Sequence, residues 1–152
     1  MDQDQLRVPT IALPATVRYF DERPLTGRIF LPVCAQHHDG PMRVDEWINQ
    51  SSVFFPFVQD GAERATILNK RYVVILTIET ADDHDADTGT TQRVSVECGN
   101  VRVEGLVHID MPEHQSRLLD WANRAEPFLV VNDNDRRHII QKTRITFLRE
   151  VD

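Results

Sequence analysis

The chain has no apolar run near the ~20 residues that a helix needs to cross a membrane. Its start, MDQDQLRVPT, lacks the basic-then-apolar pattern of a leader. No membrane partner is therefore expected. With 41% hydrophobic and 27% charged residues among 152, the composition reads as that of a cytoplasmic globular protein. Cysteine is scarce: Cys34 and Cys98 are the only two. They make no disulfide framework and read as free thiols in a reducing compartment. GxSxG, Walker, GxGxxG and HExxH motifs are all missing, so no enzymatic activity and no cofactor are expected. A basic surplus is missing as well. The net charge is −7; residues 1–80 carry 8 basic and 10 acidic side chains, residues 81–92 four aspartates, and residues 93–152 9 basic and 10 acidic. A protein that holds phosphate backbones mainly by charge would show the opposite balance, so a nucleic-acid partner is not expected.

What the chain does contain is a phrase written twice. RVDEWINQSSVFF, Arg43 to Phe55, and RLLDWANRAEPFL, Arg117 to Leu129, share the form R-x-x-[DE]-W-x-N-x-x-x-x-F and hold both tryptophans. The match extends outward. TVRYFDERPLTGRIFLP aligns with RVSVECGNVRVEGLVHIDMP around Gly27 and Gly105, and RATILNKRYVVIL with RRHIIQKTRITFL around Lys70 and Lys142. The offset is 78 at the glycines, 74 at the tryptophans and 72 at the lysines, as length changes confined to two loops would produce.

Each copy reads as strand, turn, strand, short helix, strand, turn, strand. Val94, Val96, Val101, Val103 and Val107 alternate as in a half-buried hairpin turning at Cys98–Asn100. Val44, Trp47 and Ile48, like Leu118, Trp121 and Ala122, share one helical face. Asp39 or Gly40 is the expected cap of the first helix, with Pro41 at its first position. Asn49 and Asn123 follow the helices where a left-handed cap is common. The fold expected is α+β and β-rich: two tandem ββαββ repeats about a pseudo-twofold axis, with strongly bent or barrel-like sheets. A unit of this size alone makes a marginal core, and two could share one. The organisation is a lead-in over 1–12, repeat one over 13–78, an acidic linker over 79–92 and repeat two over 93–152.

Three features carry candidate chemistry. CAQHHDG gathers Cys34, His37, His38 and Asp39, all metal-ligating types, but copy two has no counterpart and no second paired element is present. A polar loop is the expectation. DDHDADTG alternates aspartates as a calcium loop does, yet its glycine falls at position seven and Val94 stands where a bidentate Glu is needed. Lys70, Arg71, Lys142 and Arg144 are the basic residues placed alike in both copies. They are the candidate ligand or partner contacts, and both lysines are expected at the surface.

The pattern G-x-[IL]…R-x-x-[DE]-W-x-N…F…K resembles small bacterial proteins of uncharacterised function, over most of the chain. That resemblance implies a bacterial origin and no chemistry. Val94-x-Val96-x-x-Gly99…Gly105-x-Val107 and IIQKTRITFL are also similar to strands of Sm-like RNA-binding barrels, although the Asp and Asn expected after the second glycine are not in place. The function expected is a non-enzymatic interaction or small-ligand-sensing module, with a protein or small ligand as partner. The alternatives are an Sm-like RNA binder, or an enzyme or metal protein using the His37/His38 loop.

Overall fold

Alternation of β-branched and polar residues builds most of the protein. In VRVEGLVHI the residues Val103, Gly105, Val107 and Ile109 are buried, while Arg102, Glu104 and Leu106 face outward. This is the period of two that puts successive side chains on opposite faces. The computed structural model describes residues 9–20, 23–34, 40, 42–79, 90–109 and 118–152. Strands β1 (Thr10–Tyr19) and β2 (Leu25–Pro32) precede helix α1 (Val44–Ile48). Then come β3 (Phe54–Gln59), β4 (Thr66–Asn69), a 3₁₀ turn at Lys70–Tyr72 and β5 (Val73–Glu79). The second half repeats the succession: β6 (Thr90–Cys98), β7 (Val101–Ile109), α2 (Leu118–Ala122), β8 (Phe128–Asp133), β9 (Arg136–Gln141), a 3₁₀ turn at Lys142–Arg144 and β10 (Phe147–Glu150).

All ten strands lie in one open antiparallel sheet, in the order β10-β6-β7-β8-β9-β5-β1-β2-β3-β4. This overturns the expected α+β fold of two ββαββ repeats. Among the described residues the protein is mostly β, with two helices of five residues each. Among the described residues each half contributes five strands, not four. The strands left out of the expectation are β3 and β8. FFPFVQ carries Pro56, which speaks against a strand. The register explains why it is tolerated. Lys70 N–H donates to Val53 O, which makes Pro56, opposite Ile67, a non-hydrogen-bonded position toward β4. On its other side β2 pairs with β3 only at Val58 and Gln59, so the missing N–H of Pro56 breaks no ladder bond.

The pseudo-twofold expectation is overturned too. The strand order within each half is the same, 5-1-2-3-4 and 10-6-7-8-9, but the halves meet through unlike strands, β5 against β9. The relation is head to tail, and it leaves β4 and β10 at opposite ends of the sheet.

Two apolar cores lie on either side of that junction. The first gathers every element of the first half, including Val17, Ile29, Trp47, Phe57 and Leu76, and takes Phe128 and Ile139 from the second. The second gathers Val94, Val96, Val107, Trp121 and Ile140, and takes Val74 and Ile75 from the first. Strand β5 accordingly has four consecutive buried residues, Val73 to Leu76. Both tryptophans are core, and Trp47 meets Phe55 edge-on at 5.1 Å. The sheet also curls within the first half: the Tyr19 hydroxyl accepts from Asn69 N–H at 2.6 Å, tying β1 to β4. Gly27 and Gly105 allow the bend, because a Cβ there would stand 2.2 Å from Val58 O and 2.3 Å from Asn132 O. No helix of the described residues is long and apolar enough to cross a membrane.

The expected lead-in over 1–12 overlaps β1, which starts at Thr10, and the ends of the 79–92 segment belong to β5 and β6. The aspartates of that segment lie outside the described residues. Helix α1 opens at Val44 with Arg43 at the cap position, because Met42, Val44 and Ile48 are drawn into the core. Of the expected cap residues, Asp39 and Pro41 lie outside the described residues, and Gly40 has φ 94° and precedes the helix.

Candidate functional site

The four repeated basic residues do not form one face. Lys70 is 7% exposed. Its Nζ donates to Gln50 O and Ser52 Oγ, each at 3.0 Å, and burial lowers its pKa from the usual lysine value. Lys142 Nζ donates to Arg124 O, the carbonyl at the matching place in the second half. Each lysine follows directly on a strand end, and its ammonium group satisfies a carbonyl left open where the short helix stops. The expectation that both lie at the surface is corrected for Lys70. Arg71 and Arg144 are brought together: Arg144 donates to Arg71 O at 2.8 Å and stacks over the Phe20 ring at 5.0 Å.

Cys34 is exposed and Cys98 buried, and burial pushes the Cys98 thiol up to about 11. His37, His38 and Asp39 lie outside the described residues, and among the described residues no group of three or more His, Cys, Asp or Glu is gathered.

The contacts richest in specific chemistry lie at the seam between halves, and the sequence reading missed their key residue. Asn49 was expected to end α1 in a left-handed conformation; its φ is −83°. Its side chain instead crosses the seam. Asn49 Oδ1 accepts from Phe128 N–H at 2.9 Å, and Nδ2 donates to Phe128 O at 3.3 Å. Around it, Arg137 stands 3.8 Å from Asp45, and Gln141 donates to Lys70 O at 2.7 Å. The repetition of W-x-N was the available signal, but it gave no partner 79 residues away in the chain.

A cleft of about 280 Å³ opens beside the seam, lined by Arg18, Arg102, Arg136, Glu104, Asp133 and His138 among others. His138 Nδ1 hydrogen-bonds Thr77 Oγ1 at 2.9 Å, and burial lowers its pKa, opposed by the nearby Asp133 carboxylate. Arg102 is held by Glu104 at 2.7 Å. The lining has an excess of cationic groups and suits a small anion.

The two ends of the sheet form the remaining surface. Ile67 on β4, Phe54 on β3 beside it and Phe147 on β10 are 61%, 57% and 61% exposed. Among the described residues each end strand has a neighbouring strand on one side only, so backbone donors and acceptors are open along β10 and, on β4, at Ile67, while those of Asn69 are taken by the Tyr19 hydroxyl. Comparison of the chain with family models, curated proteins and solved structures returns no match.

Proposed function

We propose that the protein is a non-enzymatic cytoplasmic interaction module that joins polypeptide through the end strands of its sheet. The observation that carries this reading is the coincidence of open backbone edge and large apolar side chains at β4 and β10. Open, apolar edges invite strand addition, in which ladder hydrogen bonds give affinity and alternate side chains give specificity. The RNA-binding alternative loses support, because Lys70 and Lys142 are committed to backbone carbonyls. The test is capture of partners from native lysate by the intact protein, by Ile67→Lys and by Phe147→Lys. Edge binding predicts polypeptides retained by the parent and lost from at least one variant. Identical capture by all three would overturn it.

The cleft favours a second reading, a sensor of a small anion held by Arg18 and Arg136 beside His138. Native mass spectrometry of the purified protein would then show a bound small molecule that the Arg18→Ala, Arg136→Ala double variant loses. An identical ligand-free mass for both, after incubation with a pool of anionic metabolites, would sink it.

A further inference from the structure

The surfaces left open at the two ends of the sheet are the same two surfaces that join the halves. Aligning the halves at their lysines and tryptophans places Ile67 at the position of Ile139, Phe54 at that of Phe128, and Phe147 at that of Ile75. At the seam these positions are buried: Ile139 is 0% exposed, and Phe128 and Ile75 are each 3% exposed. Ile139 and Phe128 complete the core of the first half, and Ile75 completes that of the second. The matching apolar positions therefore stand in the open at the outer ends, where none of the described strands lies beside them.

The polar clamp matches as well. Asn123 occupies the position of Asn49 and is exposed, while Phe54, whose backbone it would hold, is exposed at the other end. Where the seam pairs Arg137 with Asp45 at 3.8 Å, the outer ends carry Ala65 and Leu119. Leu119 is 64% exposed, an apolar residue facing an apolar one. Part of the ladder has direct counterparts within β10 and β4. Leu76↔Ile139 and Thr77↔His138 at the seam correspond to Leu148↔Ile67 and Arg149↔Thr66 between ends.

We infer that copies of this protein join head to tail, β10 of one chain pairing antiparallel with β4 of the next in the register that pairs β5 with β9. The inference rests on the edge-binding reading and names its partner as a second copy of the chain. The contact is heterologous, so a series of joined copies still offers one β4 and one β10, at its two ends, until it closes into a ring.

Purified full-length protein tests this by sedimentation velocity over a dilution series. Assemblies larger than the monomer are expected; they dissociate for Ile67→Lys and Phe147→Lys and persist for Leu106→Lys, which changes an exposed apolar residue on β7 away from both ends. Asn123→Ala is expected to weaken assembly about tenfold, the effect of a lost pair of hydrogen bonds. Direction is tested in a Cys34→Ser background by preparing Thr66→Cys and Arg149→Cys as separate proteins. Mixed and oxidised, they should form a disulfide-linked pair, and neither should link to itself. Self-linking of either one shows a symmetric contact and overturns the inference. A monomer at every concentration with no mixed cross-link overturns it too. In that event, lysate partners still lost by Ile67→Lys would leave the edge-binding reading standing, whereas no edge-dependent partner would remove both.

Discussion

Asn49 holds Phe128 by both of its backbone polar groups, accepting from its N–H at 2.9 Å and donating to its C=O at 3.3 Å. One side chain from the first half thus fixes the strand entry of the second. Removing it leaves two half-buried backbone groups without partners. Asn49→Ala is expected to cost about 1–3 kcal/mol in urea unfolding. Asn123→Ala, at the matching but exposed position, should cost no more than about 0.5 kcal/mol at dilution. Equal losses at both sites would show that the asparagines only end their helices.

Lys70 predicts a similar contrast with a surface lysine. Its ammonium group is buried and spans Gln50 O and Ser52 Oγ. Lys70→Met fills the volume of the stem but strands the carbonyl, and should destabilise by about 1–3 kcal/mol. A midpoint unchanged in chemical denaturation would mean that the ammonium group is not needed there.

His138 makes the seam sensitive to acid. Burial lowers its folded-state pKa below the ordinary 6.5. The unfolded chain therefore binds the proton more readily, and ν_U exceeds ν_N in this window. The contribution of the neutral ring is full above pH 6.5, and it is lost as pH falls through the folded-state value. His138→Gln should flatten the melting temperature between pH 7 and 5 relative to the parent, while keeping a polar group near Thr77. An unchanged pH profile would remove His138 as the source.

The two thiols should separate cleanly. Cys34 is exposed, whereas Cys98 is buried with its pKa raised to about 11. Thiolate is the reactive form. Native protein should take up one equivalent of a thiol reagent quickly at neutral pH, and the second only on unfolding. Rapid native modification of Cys98, mapped by peptide mass, would show that β6 and β10 separate readily.

Trp121 is 2% exposed in the second core. Trp121→Ala should lower stability by about 3–5 kcal/mol through lost burial and the cavity left behind. A loss below about 1 kcal/mol would mean that the indole pocket collapses or is not part of the core.

Local pattern was enough for some of this. The valine alternation of Val94–Val107 determined the β6–β7 hairpin, and the left-handed Gly99, with φ 60°, makes its turn. The apolar face shared by Trp47 and Ile48, and by Trp121 and Leu118, determined which side of each short helix is buried. Strand β3 was hidden because Pro56 argues against a strand, and only the register with β4 shows that its missing N–H faces no donor position in that ladder. The joining of β5 to β9 was hidden for a different reason. Periodicity reports which face of a strand is apolar, but not which strand comes to lie beside it. Ile67 and Ile139 are the same residue in the same local phrase, yet one is 61% exposed and the other fully buried. The sequence determined that both positions are apolar. Tertiary structure decided their fates, because β5 lies beside Ile139 and the sheet ends at Ile67.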